Sequence, residues 1–133
     1  MKAFEETIEL TTSGELDIID ITQEVEKIVK RSGIKNGICI IIVPGSTGAV
    51  ILNEYEHSLM EDLKNILKEL IPSKNYNHPI NARSHLRAIL LGNNQVIPIS
   101  NGELILGTWQ QIIFIELDTR PRSRKIFVKV IGE

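Results

Sequence analysis

The residues best suited to chemistry lie in the segment "YNHPINARSH". His78 and His85 are two of the chain's three histidines, and Asn81 lies between them. His78 precedes Pro79, so its backbone is predicted to be extended and its ring free to enter a cleft. His85 is predicted to lie at the start of a short helix, whose positive dipole end favours a nearby anion. These side chains could converge on one ligand, or they could be surface residues without a function.

A second candidate is the sequence "PGSTG", residues 44–48. Its glycines permit backbone angles that expose amide groups, and Ser46 and Thr47 could add hydrogen bonds to a phosphate. A tight bend between two strands explains the same residues equally well. Glu54 follows the next predicted strand and could bind a hard cation or act as a base.

Basic residues supply two further candidates. Arg83 has the planar fork that binds phosphate well. The segment "DTRPRSRK", residues 118–125, could also hold phosphate, or it could guard the edge of a sheet. Neither feature shows whether these basic residues bind phosphate or only keep the protein surface soluble.

The apolar pattern predicts the elements that position these residues. Strands are predicted at 2–10, 15–20, 37–43 and 49–54, and only strands after residue 95. Three helices are predicted: one capped by Asp20 with Gln23 and ended by Gly33, one ended by Pro72, and a short one over 84–91. This order indicates an α+β fold in one domain, 1–133, with neighbouring late strands paired antiparallel. The run "GICIIIV" is predicted to be buried on both faces.

Composition limits the class of protein. The net charge of −2 argues against nucleic acid as a partner. No apolar run is long enough to span a membrane, and the cytoplasm is the expected location. The single cysteine, Cys39, lies in an apolar strand, which favours an inert core thiol over a nucleophile. The strands expose enough apolar surface to predict self-association.

Several separated segments resemble the YjbQ-like family, which is often labelled secondary thiamine-phosphate synthase. They are "VPGSTGAVILNEYE", "YNH", "NARSHLRAILLG", "NGELILGTWQQI" and "DTRPRSRKIFVKVIGE". The resemblance implies an α+β β-sandwich that forms a homotrimer and binds a small phosphorylated metabolite. It also implies a transferase that joins hydroxymethylpyrimidine pyrophosphate to thiazole phosphate. The alternative is a non-catalytic protein that binds such a metabolite.

The resemblance also implies roles for individual residues. His85 is implied to assist the leaving group, and His78 and Asn81 to orient it. Phosphate is implied to be bound by Ser46, Thr47 and Arg83, and a cation or the substrate amine by Glu54. Gln110 is implied as a wall of the cleft and Mg²⁺ as the partner of the diphosphate, while Glu54, His78 and His85 are the candidate metal ligands. The chain departs from many relatives at Gly45 and Arg83, where those relatives carry histidine, and in a shorter loop before His85. Trp109 is predicted to anchor the core or a subunit interface.

Overall fold

Two antiparallel sheets and three helices make up the protein, described by a computed structural model of residues 1–133. In chain order the elements are β1 (Lys2–Thr11), β2 (Ile18–Asp20), α1 (Thr22–Ser32), β3 (Gly37–Ile42), β4 (Gly48–Asn53), α2 (His57–Leu70), α3 (Ala82–Leu91), β5 (Asn94–Ser100), β6 (Glu103–Leu104), β7 (Gln111–Glu116) and β8 (Ser123–Gly132). The predicted α+β class, with antiparallel strands and three helices, is confirmed.

The sheets differ in size. The larger sheet has the strand order β1-β8-β3-β5-β6, and the smaller sheet has the order β2-β7-β4. Every neighbouring pair is antiparallel. Strand β8 pairs with β1 on one side and β3 on the other, so the C-terminal strand joins the N-terminal strand to the rest of the larger sheet.

Two apolar clusters form the core. The first fills the space between the sheets and α1, and it includes Val25 and Ile28 from α1, Val128 from β8 and Phe114 from β7. The second lies on the other side of the smaller sheet, where Met60, Leu67 and Ala88 of α2 and α3 cover it. The smaller sheet is therefore buried on both faces, and the outer face of the larger sheet is not covered by the chain.

The prediction that β3 is buried on both faces is wrong. In β3, Cys39 and Ile41 are fully buried, but Ile38 and Ile42 on the opposite face are 38% and 36% exposed. The strand with two buried faces is β7, in which Ile112 through Ile115 are all 0% exposed. An apolar run reports burial but does not say which layer covers each face.

Two local predictions also need correction. The N-cap position of α1 is Ile21 rather than Asp20, because the helix begins at Thr22, but the Asp20 carboxylate still accepts hydrogen bonds from the Thr22 amide at 2.9 Å and hydroxyl at 2.5 Å at the start of the helix. Strands β6 and β7 follow each other in the chain but do not pair as predicted for neighbouring late strands, because β6 pairs with β5 while β7 belongs to the other sheet. The predicted end of α1 at Gly33 is confirmed by its left-handed φ of 71°.

None of the helices combines the length and the apolar character that crossing a membrane requires.

Candidate functional site

The two histidines of the Tyr76–His85 segment lie against each other. The ring centroids of His78 and His85 are 4.7 Å apart, with the ring planes inclined at 69°. His78 Nε2 is 3.2 Å from Asn81 Oδ1, and Asn81 Nδ2 donates to Asp118 Oδ1 at 3.4 Å. Because the amide of Asn81 donates to Asp118, its oxygen faces His78, and His78 Nε2 must be the donor. We call His78, Asn81 and His85 the histidine cluster.

Asp118 connects this cluster to the C-terminal basic segment. Its carboxylate accepts from Arg122 and from the Thr119 amide. Although burial raises the pKa of Asp118, the hydrogen bonds from Thr119, Arg122 and Asn81 outweigh it and hold the pKa below its usual value. Asp118 therefore stays ionised at neutral pH and orients Asn81, which in turn orients the His78 ring.

A buried ion pair supports the "PGSTG" turn. Arg124 donates to Glu116 at 2.8 and 2.5 Å, and these side chains are 5% and 0% exposed. Arg124 Nη2 also donates to the Thr47 hydroxyl at 2.8 Å and to the Thr47 carbonyl at 3.1 Å. The Asp118 amide donates to Glu116 at 3.0 Å. Thr47 and the histidine cluster are thus joined by one network of hydrogen bonds.

Arg83 is held by a carboxylate of the chain itself. It forms a two-pronged pair with Glu15 at 2.7 and 2.9 Å, and Glu15 also accepts from Arg87 at 2.9 Å. Arg87 is 2% exposed and donates its remaining bonds to the Ile71 carbonyl. The guanidinium of Arg83 reaches Ser73 as well, at 3.3 Å. To bind phosphate, Arg83 would have to share its donors with Glu15.

Glu54 and Gln110 lie at the opposite end of the smaller sheet. Thr47 precedes β4 and Glu54 follows it, so the strand separates them by roughly 20 Å at about 3.3 Å per residue. The register agrees, because Glu116 pairs with Gly48 at one end and Gln111 with Asn53 at the other. Within one chain, Glu54 and Gln110 therefore do not share a site with the histidine cluster.

A cleft of about 700 Å³ also lies at the Gln110 end. It separates α1 from the loop after β6, and both Gln110 and Gln111 line it. Gln110 closes a tight turn. Its side-chain Oε1 accepts a hydrogen bond from the Gly107 backbone amide at 2.9 Å, and its own backbone amide donates to the Gly107 carbonyl at 3.1 Å. This turn presents Trp109, which is 73% exposed, so Trp109 does not anchor the core of the chain.

Two further groups bear on possible chemistry. Cys39 is fully buried, as predicted for a core thiol, and burial raises the pKa of this thiol to about 12. No three side chains among His, Cys, Asp and Glu come together as a metal-binding group within one chain. Ser46 is exposed and its hydroxyl has no partner in the chain, so it is free to bind a ligand.

Sequence reasoning overlooked Glu116, Asp118, Arg87 and Glu15. Only one signal was present for Glu116, a lone charge inside the apolar run "IIFIEL". A charge in such a run must be buried and paired, which makes it a marker of a polar network.

Comparison with known proteins identifies the family. The model of the family described as UPF0047 protein YjbQ-like matches residues 6–133. The chain belongs to this family. A UPF0047 protein of Methanothermobacter thermautotrophicus is 42% identical over 100% of this chain and 95% of its own length. The UPF0047 protein YugU of Bacillus subtilis is 32% identical over 95% of this chain and 98% of its own.

Solved structures of YjbQ-like proteins have the same fold. A YbjQ-like protein of unknown function from Sulfolobus solfataricus P2 superposes with a TM-score of 0.96 at 43% identity, covering 99% of both chains. A hypothetical protein from Aeropyrum pernix K1 superposes with a TM-score of 0.92 at 36% identity, covering 100% of both chains. The fold expected from the YjbQ-like resemblance is therefore confirmed.

Proposed function

We propose that this YjbQ-like protein binds a phosphorylated metabolite beside the histidine cluster and acts there as a slow transferase. The reaction joins hydroxymethylpyrimidine pyrophosphate to thiazole phosphate. The bond between the pyrimidine's methylene carbon and the pyrophosphate oxygen breaks, and the oxygen keeps the electron pair. The thiazole nitrogen supplies the pair for the new C–N bond, which yields thiamine phosphate and pyrophosphate.

One observation supports this proposal above the others: the Asp118–Asn81–His78 chain of hydrogen bonds next to His85. Imidazoles held in a fixed orientation can stabilise a leaving pyrophosphate by hydrogen bonding or by protonating it. His85 would assist the leaving group, and His78 and Asn81 would orient it. Ser46 would bind phosphate at the neighbouring turn, where the Thr47 hydroxyl is buried and already accepts a hydrogen bond from Arg124.

Mg²⁺ is proposed as the partner of the diphosphate. Such ions usually take one or two carboxylates from the protein and the rest of their ligands from phosphate and water. Glu54 fits this requirement, since its carboxylate makes no hydrogen bond in the chain. The ion would neutralise charge on the departing pyrophosphate.

The separation of Glu54 from the histidine cluster leads us to propose that the site is completed between copies in a homotrimer. In a ring, one face of each subunit meets a different face of the next. The Glu54 and Gln110 end of one copy would then lie against the histidine cluster of its neighbour. The exposed Trp109 and Ile105 flank Gln110 and supply apolar surface for that contact.

The activity is tested by measuring thiamine phosphate formed from the two precursors with Mg²⁺. We expect His85→Ala to lower the rate by roughly 10²-fold, as for loss of a general acid. His57→Ala is the matched control, because His57 is exposed at the start of α2, outside the cluster. Absence of product would exclude the transferase, and equal rates for wild type and both variants would exclude the histidine cluster as its site.

Mixed assemblies test the shared site. Glu54→Gln and His85→Ala chains are inactivated separately, then unfolded together and reassembled. If each site takes Glu54 from one copy and His85 from the next, random mixing restores about one quarter of the sites. No recovery means that Glu54 of one copy does not complete the histidine cluster of the next, and the proposal of a shared site is then wrong.

A second candidate function is binding of a phosphorylated metabolite without catalysis. The engagement of Arg83 by Glu15 favours it, because a guanidinium already paired contributes less to a transition state. Binding of thiazole phosphate measured by calorimetry, without turnover of the precursor pair, would establish this function. Binding followed by turnover would instead establish the transferase.

A further inference from the structure

The buried guanidinium of Arg124 has one nitrogen with no partner in the chain. Its Nε and Nη2 donate to Glu116 and Thr47, whereas Nη1 makes no hydrogen bond. The side chain is 5% exposed, so this nitrogen is fixed in place by the other two. A fixed donor that the fold leaves unused is available to a ligand at little cost in side-chain entropy.

Nη1 faces the "PGSTG" turn. It lies 3.5 Å from the place where a Cβ on Gly45 would stand, and the φ of Gly45 is +109°, a conformation that other residues rarely adopt. The amides of Gly45 and Ser46 donate to no group of the protein, and neither does the Ser46 hydroxyl. The absence of a side chain at Gly45 leaves Nη1 accessible from this turn.

Gly45 and Ser46 line a cavity of about 260 Å³, and Arg124 lines a separate groove of about 590 Å³. Pro44, Arg122, Arg124 and Lys125 contribute to its lining, and Glu9 faces Lys125 from β1. Arg122 and Arg124 are neutralised by Asp118 and Glu116, whereas Lys125 forms no ion pair. The groove therefore offers directed donors rather than a large excess of positive charge.

We infer that Arg124 Nη1 and the free amides of the Gly45–Ser46 turn form a binding site for one phosphate group of a small molecule. Arginine and backbone amides both suit phosphate oxygens, since each donates along a fixed direction. Lys125, the next residue of β8, points to the opposite face of the sheet and takes no part in the site. This inference rests on the proposal that the turn binds phosphate, and it identifies Arg124, rather than Arg83, as the main anchor.

Inorganic phosphate is the probe, titrated into the full-length ¹⁵N-labelled protein at constant ionic strength. We expect saturable chemical-shift changes at the Gly45 and Ser46 amides and at the Arg124 side chain. Shifts confined to the lysines of the large cleft, such as Lys27 and Lys30, would place the phosphate elsewhere. The absence of any saturable shift would also overturn the site.

Ser46→Ala tests the site without disturbing the buried pair, because Ser46 is exposed and its hydroxyl makes no hydrogen bond in the chain. We expect it to weaken phosphate binding by about twofold to tenfold, in the range of one lost hydrogen bond. Ser100→Ala, at the opposite end of the larger sheet, is the matched control and should leave the affinity unchanged. Equal effects of the two variants on phosphate affinity would overturn the site.

A third variant separates this inference from the transferase. His85→Ala should lower the rate of turnover by roughly 10²-fold and leave phosphate shifts at the Gly45–Ser46 turn unchanged. If turnover is absent from every protein while these shifts persist, the transferase is excluded and the phosphate site stands. If turnover is present without these shifts, the transferase stands and the phosphate site is excluded.

Discussion

Arg124 and Glu116 form an ion pair at 2.5 Å that is almost completely shielded from solvent, with exposed fractions of 5% and 0%. Removing one partner of such a pair leaves an uncompensated buried charge. We therefore expect Glu116→Gln to lower the free energy of unfolding by about 3 kcal/mol, measured by urea denaturation.

The comparison for that measurement is Glu6→Gln. Glu6 pairs with Arg31 at 2.6 Å on the surface, where ion pairs contribute less than about 1 kcal/mol. Similar losses in the two variants would mean that the Arg124–Glu116 pair adds nothing beyond a surface contact.

The Glu15 carboxylate makes the free energy of unfolding depend on pH. The hydrogen bonds from Arg83 hold the pKa of Glu15 below its usual value, burial opposes them, and Arg87 adds to the lowering. A carboxyl whose pKa is lower in the folded state stabilises the protein above its unfolded pKa, and this contribution is lost as the pH falls through the folded value. We expect the free energy of unfolding to decrease from about pH 5 downward, and to decrease less steeply in Glu15→Gln.

Urea denaturation at a series of pH values measures these slopes. Glu9→Gln serves as the control, because Glu9 is exposed and forms no ion pair. Asp118, whose pKa is also lowered, remains in every variant, so the decrease should be reduced rather than abolished. A Glu15→Gln slope equal to that of wild type would contradict the assignment.

Gly37 and Gly132 are facing residues of β3 and β8, and neither has room for a side chain. A Cβ on Gly37 would lie 2.0 Å from the Ile131 carbonyl oxygen. We expect Gly37→Ala to cost about 3 kcal/mol of stability, since the backbone must move to relieve the overlap. In Gly33→Ala, where nothing lies within 4 Å, only the left-handed φ of 71° opposes the change, at about 1–2 kcal/mol. Thermal or urea unfolding of both variants measures the difference, and equal costs would refute the steric explanation.

Local patterns were enough to predict much of the fold. The spacing of Val25, Ile28 and Val29 predicts the buried face of α1, and all three side chains are at most 2% exposed. Gly33 predicts the end of that helix because a left-handed residue needs no neighbours from elsewhere in the chain. Both features are set by residues within a few positions of each other.

Long-range pairing was not predictable in the same way. The turn around Gly107 has the sequence pattern of a hairpin turn. The strands that pair with β7 are instead decided by burial against α2 and α3, far along the chain. The candidate site shows the same limit. Thr12 donates to Glu116 across 104 positions, and no spacing rule connects such residues. The nearness of His78 and His85 could be anticipated because one loop and one helical turn contain both.

Trp109 is the residue whose surroundings should change most on self-association. It is 73% exposed on the rigid turn closed by Gln110, which is unusual for a large aromatic side chain. If copies assemble through this turn, the tryptophan emission should be blue-shifted and protected from quenching by acrylamide in the assembly, and red-shifted on dissociation.

We expect Trp109→Ala to weaken assembly at least tenfold, measured by sedimentation velocity, while changing the stability of the separated chain by less than about 0.5 kcal/mol. Leu70→Ala, which removes another apolar side chain that is 61% exposed, is the control and should assemble as wild type does. A Trp109→Ala protein with unaltered assembly would show that this turn lies outside the interface, and the shared site between Glu54 and the histidine cluster would lose its geometric basis.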